Sequence, residues 1–336
     1  MILSDIALLR NGKFIPESKR NGNINIYGST GIIGKTSEIL IGTDAVVIGR
    51  VGANCGVVQY AIGPSWITDN CVICLAKNSN LKYIYYVLQS KNLHELHSGS
   101  AQPLLTGKVL NNISIPEHSN DEQSHIVDIL GSLDENIENN EKMASNLESL
   151  ALLEYQKIAH NVTENIALGD VIEIYDSKRK PLSSREREER KGSYRYFGAT
   201  GVLDYVNDYL FDGEYVLLAE DGTVIDENGY PIVQLVTGQF WVNNHAHIMR
   251  AKKGYTNYSL YIALKKLQVK EAVTGAVQLK INQANLCALE LPALQSEILA
   301  DFNSMIEPLF QKIIHIREEV EKLQELKRLY LRKFFG

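Results

Sequence analysis

The sequence predicts an α+β protein in which one unit is written twice and each copy runs into a long helix. Three observations carry this expectation. A heptad-spaced apolar seam continues far beyond what a compact core needs, a second seam lies at the C-terminus, and several short motifs recur in one order at offsets of 170 to 176 residues.

The first seam is Ile126, Leu130, Leu133, Ile137, Asn140, Ala144, Leu147, Ala151, Glu154 and Ile158. Alternating steps of four and three keep these positions on one face of a packed helix. No Pro or Gly follows Gly131 up to Ile158, so a helix over 121–158 would be on the order of 55 Å long at 1.5 Å per residue. The second seam is Ile298, Phe302, Met305, Leu309, Ile313, Ile316, Val320, Leu323, Leu326, Tyr330 and Phe334, with slips of register near Leu309 and Leu326. Pro308 is expected to kink or interrupt this helix, because it has no N–H to donate and its ring crowds the preceding turn. From Asp121 to Glu154 there are nine acids and one Lys, whereas Lys322, Lys327, Arg328, Arg332 and Lys333 face a single acid, Glu325. Opposite signs of this kind suit two antiparallel, coiled-coil helices.

Ahead of each helix the chain alternates short β-rich runs with Gly and Asn turns. Ala45 to Ile48, Cys71 to Leu75, Tyr215 to Leu218 and Ile232 to Val236 read as strands, and Leu81 to Gln89 and Tyr258 to Leu267 as helices. Tyr27-Gly28-Ser29-Thr30-Gly31 falls on Phe197-Gly198-Ala199-Thr200-Gly201, and Asp44 to Gly52 on Glu214 to Gly222, both at an offset of 170. Asn70 then meets Asn244, Gln102 and Pro116 meet Gln278 and Pro292, and Gln123 and Ile126 meet Gln295 and Ile298. Repetition over this length marks a duplicated structural unit. Asn161 to Ile166 is the expected hinge into the second copy.

Composition places the chain among soluble globular proteins, at 336 residues, 45% hydrophobic and 22% charged. There is neither a basic-then-apolar leader nor a run of 18 apolar residues, so a cytoplasmic protein without membrane contact is expected. Cys71-Val72-Ile73-Cys74 lies in an apolar run with no second pair to complete a zinc site, and buried reduced thiols are expected there. Gly28 to Thr36 is one residue too long between its glycines for a phosphate-binding Walker loop, and the second copy lacks the Gly-Lys pair. A Gly-x-x-Gly turn that brings backbone close to a bulky partner fits both copies. His245-Ala246-His247 would place two rings on one face of a strand with no carboxylate or Cys at ligand spacing, so satisfied strand histidines are expected and no metal. No hydrolase, zincin or kinase signature is present, and no adenine-methyltransferase motif, so no catalytic residue and no cofactor is assigned.

Net charge is −6, yet base is concentrated at matched places. Between Ser177 and Arg195 lie Lys178, Arg179, Lys180, Arg185, Arg187, Arg190, Lys191 and Arg195 against Glu186, Glu188 and Glu189, and the first copy has Arg10, Lys13, Lys19 and Arg20 against Glu17. Paired basic segments in an acidic chain point to two equivalent phosphate-contacting sites. Candidate DNA contacts are Lys13, Lys19, Arg20, Lys35 and Arg50, with Ser29 and Thr30 in the first turn. In the second copy they are Lys178, Arg179, Lys180, Arg185, Arg187, Arg190, Lys191 and Thr200.

Phe197 to Gly201 running on to Tyr209-Leu210-Phe211-Asp212-Gly213-Glu214-Tyr215 and Glu220-Asp221-Gly222 resembles the specificity subunit of type I restriction-modification enzymes. So do Tyr27 to Gly31, Ile48 to Gly52, Thr106-Gly107-Lys108, Ile113 to Pro116 and Glu122 to Val127 in the first copy. His118 to Asp121 departs from the family's Pro-rich approach to the helix, and Leu294-Gln295 replaces its Glu-Gln. The resemblance implies two target-recognition domains, 1–118 and 161–293, separated by helices at 119–160 and 294–336 and related by a pseudo-two-fold axis. It further implies a duplex DNA partner with a bipartite target, two docked methyltransferase subunits supplying the chemistry, and translocase-nuclease (restriction) subunits as optional additions. The alternatives are an enzyme with an unrecognised nuclease or hydrolase site and a coiled-coil adaptor without DNA specificity.

Overall fold

The computed structural model describes residues 1–96, 104–275 and 279–336, so Gln102 and Gln278 of the repeat lie outside the described residues. The chain divides into two compact units, Met1–Asn140 with Glu319–Gly336, and Glu141–Glu318.

The first unit runs α1 (Leu3–Ile6), β1 (Ala7–Asn11), β2 (Ile24–Gly28), β3 (Gly31–Thr36), β4 (Ala45–Gly49), β5 (Val58–Ala61), β6 (Ser65–Ile67), β7 (Cys71–Ala76), α2 (Leu81–Ser90) and α3 (Gly107–Asn111). One sheet has the order β1-β7-β4-β5 and the other β3-β2-β6, with β2 and β6 parallel. All five residues of β4 are buried, as an uninterrupted apolar run predicts for a strand covered on both faces. Val46 and Ile48 pack with α2 in one core, while Ala45 and Val47 pack with Tyr27 and Ile67 of the second sheet in another. Asn80 begins α2 by accepting from the Lys82 and Tyr83 amides, which satisfies donors that the first helical turn leaves open.

The second unit runs β8 (Asn165–Ala167), α5 (Leu168–Val171), β9 (Ile172–Ile174), α6 (Ser184–Glu189), β10 (Lys191–Phe197), β11 (Val202–Val206), β12 (Phe211–Asp212), β13 (Tyr215–Ala219), β14 (Val233–Val236), β15 (Gln239–Val242), β16 (Ala246–Ala251), α7 (Asn257–Lys265), α8 (Gln283–Ala288) and β17 (Glu290–Pro292). Its sheet β9-β16-β13-β14 repeats β1-β7-β4-β5, and β11-β10-β15 repeats β3-β2-β6 with the same single parallel pair. The expected duplication is thus present in strand order and direction. One equivalence shifts: the Arg50 amide donates to Asn70 O (2.9 Å) and the Glu220 amide to His245 O (2.8 Å), so Asn70 corresponds to His245 rather than Asn244. Sheet register, not residue type, defines the match.

The long helices are α4 (Asn120–Ala159) and α9 (Ser296–Phe335), each of 40 residues. In the first unit Ile126, Leu130 and Leu133 of α4 enter the core with Phe335, and Lys327 of α9 pairs with Asp134 at 2.6 Å. In the second unit Glu148 meets Arg317 at 3.1 Å and Tyr155 meets Phe302, so the helices are antiparallel. The buried residue at the end of the first seam is Tyr155, not Glu154. Two expectations for α9 fail. It continues through Pro308 without interruption, because Pro308 and Ser304, whose carbonyl loses its partner, both face solvent. Leu299, Ile306 and Phe310 are buried in place of Ile298, Met305 and Leu309. Stacking of Phe310 on Tyr258 of α7 at 4.8 Å decides that face, so packing against a globular partner overrides the heptad.

Cys55, Cys71 and Cys74 are buried free thiols, and burial pushes Cys71 up to about 11 and Cys74 to about 12, which leaves both inert. Among the described residues no helix is long and apolar enough to cross a membrane.

Candidate nucleic-acid interface

Each unit carries a hairpin that closes on the Gly-x-x-Gly turn, β2–β3 on Gly28-Ser29-Thr30-Gly31 and β10–β11 on Gly198-Ala199-Thr200-Gly201. The Walker-like spacing is therefore a hairpin with no helix behind it. The fourth turn residue needs glycine for its φ, +125° at Gly31 and +151° at Gly201. At the first, a Cβ would press on Ile33 at 3.0 Å or on Leu203 at 2.6 Å. A glutamine braces each turn: Gln59 Nε2 donates to Gly28 O (2.8 Å), and Gln234 Nε2 donates to Gly198 O (3.1 Å) and Ala199 O (3.0 Å). Thr30 and Thr200 are left exposed, and Ser29 lies against Gly49 at the end of β4. Beyond the turns, Ile32 and Ile33 and their counterparts Val202 and Leu203 are exposed as well. Sequence reasoning passed over these four. Two adjacent apolar residues directly after each turn, on β3 and β11 at the sheet edge, were the available signal.

The basic candidates of the first unit fall in three places. Lys13, Lys19 and Arg20 lie exposed between β1 and β2, with Lys19 paired to Glu38 at 3.1 Å and the Lys13 carbonyl accepting from Trp66 Nε1 at 2.9 Å. Lys35 is exposed on β3. Arg50 follows β4, half-buried, and its Nε has no hydrogen-bond partner among the described residues.

In the second unit the segment from Lys178 to Arg195 is not one open basic loop. Ser183 and Glu186 form a reciprocal cap on α6, and the segment then enters β10. Trp241 Nε1 donates to Lys180 O at 2.6 Å, the counterpart of the Trp66 contact, so Lys13 and Lys180 occupy matched places. Arg187 is turned inward, bonding Asp204 at 3.2 Å and Leu182 O at 2.9 Å while lying over the Tyr196 ring. Lys191 shares Asp204 at 2.9 Å, and these neighbours hold that carboxyl below its ordinary range. Arg185 is 89% exposed and pairs with Glu189 of its own helix. Arg190 faces Trp241, and Lys178 covers Tyr175.

Arg179 is enclosed, 15% exposed, bonding Glu220 at 2.5 Å, Asp176 at 3.5 Å and Ala246 O at 2.9 Å. His247 is buried with Nδ1 on Asp176 Oδ2 (2.6 Å) and Nε2 on Ile281 O (2.8 Å), and Lys280 reaches Glu220 at 3.1 Å. Burial alone would raise the Asp176 and Glu220 carboxyls, but His247 beside the first and Arg179 beside the second hold both below their ordinary values. The carboxylates that sequence spacing did not supply thus arrive from the segments that follow β9 and β13. Ligand atoms of Asp176, Glu220 and His247 lie within 4.8 Å of one another, but Arg179, Lys280 and the Ile248 amide engage them. The set is an ion-pair network. His245 lies in the turn before β16 and bonds Asp221, so the two histidines do not share a strand face.

The family model described as type I restriction modification DNA specificity domain matches residues 1–149 and 162–322. A Haemophilus influenzae sequence assigned to the type I restriction enzyme specificity subunits is 36% identical over 136 residues, 39% of this chain and 34% of that protein. The chain thus aligns with about a third of that relative. The type I restriction enzyme MjaIX specificity subunit of Methanocaldococcus jannaschii is 26% identical over 297 residues, 76% of this chain and 68% of the relative. A crystal structure of a type I restriction-modification S subunit from M. genitalium superposes with a TM-score of 0.61 at 18% identity, covering 100% of this chain and 95% of the other, a likeness of fold. With both units matched by the family model, the chain belongs to the type I restriction-modification DNA specificity family.

Proposed function

We propose that the chain is the DNA-recognition subunit of a type I restriction-modification complex, each unit reading one half of a bipartite duplex target. The observation that carries this is the duplicated sheet pair with its glutamine-braced turn, in a chain of the DNA specificity family. A major groove admits a two-stranded ribbon. The exposed hydroxyls of Thr30 and Thr200, with Ser29, face the duplex in this reading, flanked by apolar side chains suited to thymine methyl groups. Lys13, Lys19, Arg20, Lys35 and Arg50, and in the second unit Lys178, Lys180, Arg185 and Arg190, supply phosphate contacts that position rather than specify. Arg179, Arg187 and Lys191 hold the scaffold instead. Methyltransferase subunits docked on the chain carry out the chemistry, with restriction subunits as optional partners. The long helices set the gap between half-sites.

The test is a methylome of the host before and after deletion of the gene. Loss of one motif made of two fixed halves and an unread spacer is expected; an unchanged methylome overturns the proposal.

A further inference from the structure

The two units repeat one backbone but not one charge pattern at the end of the four-stranded sheet. In the first unit this end is where β1 and β4 finish and β7 starts, with Arg10 opposite Ile73, Asn11 opposite Val72 and Gly49 opposite Cys71. The Leu105 amide donates to Arg50 O at 2.9 Å and so brings the approach to α3 against the same end. A cavity of about 480 Å³ opens there, lined by Arg10, Asn11, Lys108, Asn111 and Asn112, with Asn112 Nδ2 donating to Lys108 O at 2.7 Å. Neither Arg10 nor Lys108 has a side-chain partner among the described residues. Arg50, which follows β4 at this same end, has its Nε buried and without a hydrogen-bond partner among the described residues.

The same end of the second unit is chemically opposite. The pairing of Leu9 with Cys74 is repeated by that of Ile174 with Met249, which puts Tyr175 and Asp176 where the first unit has Arg10 and Asn11. Glu220 follows β13 as Arg50 follows β4, and Lys280 bridges to Asp221 as Leu104 does to Val51. Asp176 and Glu220 are engaged from within by Arg179, Lys280 and His247, and Asp221 by His245. One sheet end is paired from within; the other has two cations at a cavity with no acid paired to either among the described residues.

Two cations sharing a cavity repel unless an anion lies between them. A guanidinium offers a planar fork that matches two oxygens of a phosphate, an ammonium adds a point charge, and amide N–H groups complete an oxyanion shell. Ser29 of the exposed turn lies against Gly49, next to Arg50, so this end is continuous with the proposed reading hairpin. We infer that Arg10, Lys108 and the neighbouring asparagines bind a backbone phosphodiester flanking the half-site read by the first unit, and that the second unit has no equivalent contact. This rests on the DNA-recognition reading above and adds an asymmetry that the repeat does not suggest.

The experiment uses the full chain assembled with its methyltransferase subunits on its own target duplex. The variant Arg10→Gln with Lys108→Gln should lower the slope of log affinity against log salt by up to about 1.8, at about 0.9 per lost contact, and leave the methylated motif unchanged. Lys280→Gln, at the same sheet end of the second unit, should leave the slope alone. Neutral methylphosphonates placed singly along the duplex should reproduce the loss at one position in the first unit's half-site, and the variant should be indifferent to that position. A wild-type slope for a double variant whose thermal transition matches the wild type overturns the inference and leaves the DNA reading intact. Unchanged DNA binding together with loss of thermal stabilisation by inorganic phosphate assigns the cavity to a small free anion and also overturns it. Failure of the wild-type complex to bind duplex DNA overturns both readings.

Discussion

Arg179 shows how one residue's environment decides its work. Held between two carboxylates that are 10% and 12% exposed, it is a counterion to the protein's own interior. Removing one partner of a buried ion pair costs about 3 to 5 kcal/mol, because the remaining charge stays desolvated. Arg179→Ala should therefore lower the thermal midpoint sharply, whereas Arg185→Ala, at a solvent-facing position, should change stability by less than about 0.5 kcal/mol. A calorimetric scan of the two variants separates the roles. The same network predicts a pH dependence. Asp176 and Glu220 have depressed folded-state values, so their stabilisation is complete above the unfolded carboxylate pKa of about 4 and is lost as pH falls through the folded values. The fall in midpoint between pH 5 and 3 should be smaller in Asp176→Asn than in the wild type, and equal falls would remove the network from the explanation.

At the scale of elements, the turns and the long helices act by different means. A turn presents groups only while its carbonyls stay braced, so Gln59→Ala and Gln234→Ala should each weaken target binding by several-fold without changing the salt slope, since no charge is lost. Binding isotherms at three salt concentrations decide this; a changed slope would show that the glutamines do more than brace. Helix α4 passes from one unit into the other without a break. Four residues inserted between Lys142 and Asn146 would add about 6 Å and about 40° of rotation. DNA rises about 3.4 Å per base pair, so the preferred spacer should grow by one or two base pairs while both half-sites persist. Methylation across a library of spacer lengths reads the outcome, and an unmoved optimum in an active complex would mean that α4 does not measure the DNA.

For the whole molecule, the expected outcome is that the rigorously purified chain transfers no methyl group from S-adenosylmethionine alone and does so only with its partner subunits; transfer by the chain itself would sink the division of labour. The duplication, the α+β class and both long helices were legible in the amino-acid sequence because they rest on local periodicity, and strands such as β4 carry their burial in an unbroken apolar run. The Gly-x-x-Gly turn was legible for the same reason, since its backbone demand is local. What only the tertiary structure decided is which charges remain available. Arg179 meets Glu220 across 41 positions of sequence, Trp241 reaches the Lys180 carbonyl across 61, and Phe310 finds Tyr258 across the gap between a helix and a sheet domain. Charge neutralisation and ring packing depend on which surfaces the fold brings together. A count of bases along the chain therefore treats Arg179 and Arg10 alike, although the fold closes the first inside an ion-pair network and leaves the second open to solvent.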